Sequence, residues 1–164
     1  MITTFLVEHR WITTVTVVGM VLLGPVVACW LTARPRLATW LGLASFLPIA
    51  ALTLAPTSRD LAVGCAAEWD FPTLGEVELM ANVVLFVPPV LLIGVAVRRP
   101  VLVLVGSSAA SGLIEFVQAY ATALGRSCST NDWLSNTLGA ALGAAIAALA
   151  LWSRRSRTGS APPQ

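Results

Sequence analysis

Five runs of about 20 residues, with charges confined to their ends except for one glutamate, decide most of what this chain can become. They fall at Thr13 to Ala33, Leu37 to Thr57, Leu79 to Val97, Val101 to Leu124 and Asp132 to Trp152. An α-helix rises about 1.5 Å per residue, so a run of this length spans the roughly 30 Å hydrocarbon core of a bilayer. With 57% hydrophobic residues, 11% charged residues and a mean hydropathy of +0.82, the chain falls outside the range of water-soluble domains. The expected fold is all-α: a polytopic membrane bundle of about five transmembrane helices, one domain over residues 1–152. A short basic tail, residues 153–164, is expected to be disordered.

The arginines set the expected orientation, because short loops rich in Lys or Arg are retained in the cytoplasm. Alternating the loops places Arg34, Arg36, Arg98, Arg99, Arg154, Arg155 and Arg157 on one side, and only Arg10, Arg59 and Arg126 on the other; the chain has no lysine. Glu8, Asp60, Glu68, Asp70, Glu76 and Glu78 all fall on the arginine-poor side. The N-terminus is therefore expected outside and the C-terminus in the cytoplasm. The first run is longer than the apolar core of a cleaved leader and is followed by arginines, so it reads as a retained span.

Cys29 sits within the first span, where a lone cysteine serves as a small packing residue. Cys65 and Cys128 lie in two different loops on the outer side, where disulfides persist. A Cys65 to Cys128 bridge is expected, tying the long loop between spans two and three to the loop between spans four and five. The alternative is two free thiols.

The exceptional glutamate, Glu115, lies in "SSAASGLIEFVQAY". Ser108, Ser111, Glu115, Gln118 and Thr122 are spaced by 3, 4, 3 and 4, which aligns them on one helical stripe. A carboxylate facing lipid costs several kcal/mol, so this stripe faces protein or water. The fifth span repeats the pattern with Asp132, Asn136, Gly139 and Gly143; the two glycines suit close helix packing. The third span carries Glu78, Asn82 and Phe86 on one face, then Pro88 and Pro89, which free backbone carbonyls and are expected to kink it. At about 1.5 Å per residue, Glu115 lies about 13 Å, Gln118 about 9 Å, and Asn82 and Asn136 about 5 to 6 Å below the outer helix ends. Arg126 sits above this layer and is expected to partner Asp132 or Glu115.

Each of these residues also has a structural reading. Asn, Gln and Ser often hold membrane helices together by hydrogen bonds, and Asp132 suits the first turn of a helix capped by Ser129, Thr130 or Asn131. Glu115 is the hardest to explain as glue, and is the candidate for a functional or catalytic carboxylate. His9, the single histidine, is assigned no role. Paired histidines, CxxC, GxGxxG, GKS and a Ser, His, acid triad in this layer are all missing from the sequence, so no metal and no cofactor is expected.

Taken together, these motifs resemble the VanZ-like family of bacterial membrane proteins across about the last four spans, residues 37–152. The family's Asn-xxx-Phe-x-Pro pattern is matched by Asn82, Phe86 and Pro88, and its Ile-Glu-xx-Gln pattern by Ile114, Glu115 and Gln118. Its closing Arg, Asp and Asn-Thr-x-Gly-xxx-Gly are matched by Arg126, Asp132, Asn136, Thr137, Gly139 and Gly143. The chain departs from the pattern at Val90, where the family often has glycine, after a second proline, Pro89. The resemblance implies a multi-pass protein of a bacterial plasma membrane. It also implies a link to low-level resistance to teicoplanin, a glycopeptide that binds cell-wall precursors.

Three functions compete. The preferred one is a non-catalytic envelope protein whose outward-facing polar pocket, formed by Asn82, Ser111, Glu115, Gln118, Arg126, Asp132 and Asn136, binds a membrane lipid, a lipid-linked cell-wall precursor or a lipophilic antibiotic. The second is a membrane enzyme acting on an envelope lipid with Glu115 as general acid or base. The third is a small proton-coupled transporter, against which stands the wholly apolar stretch "VLVLVG" below Ser108. No nucleic-acid partner is expected.

Overall fold

A computed structural model describes residues 8–54, 56, 63–73, 76–121 and 125–159. The helices are α1 (Trp11–Leu31), α2 (Pro35–Ala44), α3 (Phe46–Leu54), α4 (Val77–Val97), α5 (Pro100–Tyr120) and α6 (Thr130–Gly159). With α2 and α3 counted as one span, five are long and apolar enough to cross a bilayer. The only described strands are two-residue segments, β1 (Cys65–Ala66) and β2 (Cys128–Ser129), which leave the all-α class unchanged.

Local sequence explains the boundaries. Proline opens both α2 and α5 at the first helical position, where the missing N–H would have no partner anyway. The second span, expected as one continuous helix, breaks at Ser45. Pro48 has no N–H to give to the Ala44 carbonyl, so the chain ends one helix there and restarts with Pro48 in the first turn of the next. The Ser45 hydroxyl and N–H donate instead to Gly42 and Leu41, at 2.6 and 3.0 Å. Pro88 and Pro89, by contrast, lie within an unbroken α4.

Half of the α4 and α6 spans is buried, against 17% of α1, the second span and α5. These two helices are therefore the axis of the bundle, and the others turn an apolar face to lipid. Glycines set the distance between them. A Cβ on Gly143 would lie 2.6 Å from the Val87 carbonyl oxygen, and one on Gly139 would overlap the Val83 carbonyl, so only hydrogen fits at either position. Around this seam, Ala28, Leu31, Val87, Leu91, Ile146 and Ala147 form one core cluster. Ile49, Phe86, Val90, Ala140 and Ala144 form a second, nearer the cysteines.

Cys65 and Cys128 are joined in a disulfide, as expected, with their Cα atoms 4.6 Å apart and facing each other in the parallel β1–β2 pair. The opposite end of the bundle gathers Thr32, Arg98, Leu151, Arg154 and Arg155 around one space. The last helix corrects the expected start of the tail: α6 continues past Trp152 to Gly159. No proline or glycine interrupts residues 153–158, and arginine is a strong helix former. Ser153 donates to the Leu149 carbonyl at 2.8 Å, one turn back. Residues 160–164 of that tail lie outside the described residues, as do Arg59, Asp60 and Thr122.

Candidate functional site

In α5 the burial pattern of a water-soluble helix is inverted: its buried residues are Ser107, Ser111, Glu115 and Gln118, while Leu113, Phe116, Val117 and Tyr120 are exposed. Polar side chains thus point into the bundle, because lipid solvates the apolar face and protein must satisfy the rest. The expected stripe is rotated slightly at its lower end. Ser107 is buried, whereas Ser108 is half-buried and shares a 2.9 Å hydrogen bond with Thr137 of α6.

Several of these polar groups find partners on neighbouring elements. Asn136 donates from Nδ2 to Ser111 Oγ at 2.9 Å, and Asn82 donates from Nδ2 to Asp132 Oδ1 at 2.7 Å, bridging α4 to α6. Glu115, 7% exposed, accepts the Ser129 backbone N–H on Oε2 at 3.0 Å. Ser129 follows Cys128, so the peptide that holds Glu115 is itself held by the disulfide.

The loop carrying Cys65 is fastened across the start of α6. The Asp70 N–H donates to Asn131 Oδ1 at 2.8 Å, and Asn131 Nδ2 returns a bond to Asp70 Oδ2 at 3.2 Å. The Glu68 N–H donates to Thr130 Oγ1 at 2.8 Å, and that hydroxyl donates to the Glu68 carbonyl. Trp69 meets Trp133 edge to face at 6.3 Å, and the Trp133 indole N–H reaches the Ser108 carbonyl at 3.1 Å.

Between the helices at this end of the bundle is a cavity of about 230 Å³. Asn82, Glu115, Gln118, Arg126, Asp132 and Asn136 line it together with Glu78 and Phe86. Ser111 does not reach the cavity and supports it through Asn136. Gly139 and Gly143 lie below it in the α4–α6 seam, while Pro88 borders a groove against α1 and Pro89 is buried on α4. Asn136, one of the lining residues, keeps its Oδ1 buried with no hydrogen-bond partner, as does the adjacent Ser135 its Oγ. Buried acceptors are nearly always satisfied, so this one stands out.

Two further spaces adjoin the cavity. Glu115 also lines a mainly apolar groove of about 400 Å³, together with Gly112, Phe116, Tyr120, Trp133 and the disulfide. Glu78 and Asp132 also line a space of about 510 Å³ at the cysteine end, together with Arg10, Glu68 and Glu76.

A family model described as VanZ/LLP1 matches residues 11–151. The chain belongs to the VanZ/LLP1 family. No curated protein and no solved structure matches it. The match includes α1, so the first span is part of the VanZ/LLP1 domain rather than an addition to four motif-bearing spans.

Several residues of this VanZ/LLP1 site escape a reading of motifs. Ile49, Leu52 and Thr53 of α3 line the cavity because the break at Ser45 lets the outer half of the second span leave α4; apolar residues in an apolar run carry no signal of that. Glu78 and Ser135 were within reach, since each lies four residues from a site residue or packing glycine on its helix, Asn82 and Gly139. Among the described residues no group of His, Cys, Asp and Glu could hold a metal ion. The arrangement offers one guanidinium, three carboxylates and three carboxamides beside an apolar wall, a set able to hold an amphiphile with both charged and hydroxyl-rich parts.

Proposed function

We propose that this protein is a multi-pass protein of a bacterial plasma membrane that holds the headgroup of an envelope lipid in its polar cavity, with the cysteine end outside and the arginine end in the cytoplasm. The observation that carries this reading is the convergence of Arg126, Glu115, Asp132, Asn82 and Gln118 on one cavity, beside Asn136, whose buried Oδ1 lacks a donor. The surrounding chemistry supports it. Arg126 offers charge-assisted hydrogen bonds to a phosphate, while Glu115, Asp132, Glu78 and Asn136 accept from sugar hydroxyls or an amine. The groove that shares Glu115 runs along the exposed Phe116 and Tyr120 and suits the lipid's chain.

Size separates the candidate ligands. Sites for drug-sized molecules are roughly 300–1,000 Å³, so about 230 Å³ suits a headgroup and is too small for a whole glycopeptide antibiotic. Any effect on glycopeptide resistance would then act through a lipid or lipid-linked precursor. Native mass spectrometry of the purified protein tests the reading. Wild type is expected to retain a lipid that Glu115→Gln and Asn136→Leu lose by roughly tenfold, the value of one hydrogen bond to a charged group, at unchanged membrane abundance. An identical lipid complement in all three proteins overturns it.

A further inference from the structure

At the end of the bundle away from the cysteines lies a space of about 280 Å³ lined by Thr32, Arg98, Leu151, Arg154 and Arg155. Its residues come from three places far apart in sequence: the end of α1, the turn between α4 and α5, and the last turns of α6. Three guanidiniums therefore face one volume, and no acidic side chain is among its lining residues. All the described acidic residues belong to the other end of the bundle or to the polar layer beneath it. Arginine forks match the oxygens of a phosphate, and three of them on one volume can share such a group.

Two features of the backbone hold these arginines in place. Arg98 adopts φ 57° and ψ 29°, the left-handed region, and is the only non-glycine residue with positive φ among those described. Glycine is the residue usually found there, and a side chain in that region carries a strain cost. The backbone position by itself would favour glycine, so the retained guanidinium points to a use for the side chain. Arg154 and Arg155, in turn, stand on continuous helix rather than on a loose tail, which fixes their distance from Arg98.

The level of this space in the membrane is marked by tryptophans. Trp30 and Trp152 are 51% and 68% exposed near it, where amphipathic rings collect at a bilayer interface. Arg34 lies over the Trp30 ring at 4.1 Å and does not line the space.

We propose that the space between Thr32, Arg98, Arg154 and Arg155 is a binding site for a phosphate-type anion, set at headgroup level on the arginine-rich side. The ligand is either the phosphodiester of an anionic lipid or free phosphate. The site is separate from the polar cavity at the cysteine end, so either can fail without the other.

The test uses the purified full-length protein in detergent with equimolar phosphatidylglycerol and phosphatidylcholine, read by native mass spectrometry. Wild type should carry phosphatidylglycerol in roughly tenfold preference, the scale of one charge-assisted contact. The R98G variant suits the left-handed backbone, so it should keep or raise the melting temperature while losing most of that preference. R154Q/R155Q should lose it as well, and R154K/R155K should keep part of it. A matching titration with inorganic phosphate assigns the source. Displacement of the lipid by millimolar phosphate identifies a free-anion site, and retention of the lipid identifies a headgroup site. Equal binding of the two lipids by wild type, or an undiminished preference in both R98G and R154Q/R155Q, overturns the proposal.

Discussion

The seam between α4 and α6 makes the sharpest test of how packing supports the polar layer. Gly139→Ala places a methyl group against the Val83 carbonyl, which is backbone and cannot swing aside. At Gly143 the corresponding approach is 2.6 Å, and ordinary contact begins near 3.4 Å, so relief there needs a shift of about 0.8 Å; the overlap at Gly139 is more severe. Asn82 neighbours Val83, and its 2.7 Å bond to Asp132 bridges the same two helices. Adding about 0.8 Å stretches that bond to about 3.5 Å, the limit of useful hydrogen-bond geometry. Overpacking of this kind costs about 1–3 kcal/mol. Little is returned by alanine's better helix propensity, because the span stays helical in the membrane when the bundle comes apart. Titration with SDS in mixed micelles, followed by tryptophan fluorescence, measures the loss. Gly106→Ala is the control: nothing lies within 4 Å of a Cβ there, and its stability should change by less than about 0.5 kcal/mol. If Gly139→Ala resists SDS as well as Gly106→Ala does, the seam is not set by its glycines and the reasoning fails.

Two other outcomes follow from the cysteine end. Replacing both Cys65 and Cys128 by serine opens a loop of sequence separation 63, a change worth at most about 4 kcal/mol by chain entropy and less here because the spans remain inserted; limited proteolysis should then cut within residues 63–73 at least several-fold faster, and an unchanged rate would show that the Asp70–Asn131 and Glu68–Thr130 bonds alone hold that segment. In a Cys29→Ser background, mild reduction of intact cells followed by a membrane-impermeant maleimide should label Cys65 and Cys128. Labelling that appears only after the cells are permeabilised would reverse the proposed orientation.

The polar layer was legible because polar residues are costly in an apolar span, so their spacing reports a shared face. That logic placed Glu115 beside Gln118 and aligned Asn136 with Asp132. It could not separate Ser107 from Ser108: adjacent residues differ by about 100° around a helix, and either serine is compatible with the stripe. The break at Ser45 was harder still. Prolines occur within intact membrane helices, as Pro88 and Pro89 do here, and no local rule says that Pro48 ends one while they do not. The end of α6 was missed for a different reason. A run of arginines leaving a bilayer looks like solvated tail, yet the same residues extend a helix well when no breaker intervenes. Contacts such as Asn131 to Asp70 join residues 61 apart, which helical periodicity does not relate.

The two ends of the cavity are built differently, and the difference bears on transport. Towards the cysteine end stand short segments of irregular chain tied by a disulfide, by the Ser129 N–H on Glu115, and by the Asp70–Asn131 pair. The cavity's floor is Phe86 and, one turn deeper, Val90, packed with Ala140 and Ala144. Val90 and Ala140 are both 0% exposed and stand on the two most buried helices, where the glycine seam leaves no slack. Passing a polar solute on towards the arginine end would require α4 and α6 to separate against that packing. Exchange sideways, along the groove beside Phe116 and Tyr120, passes exposed side chains and leaves that packing intact. A cavity closed below and bordered by an exposed groove is therefore what the proposed lipid-holding role requires, and it is poorly suited to carrying a group across.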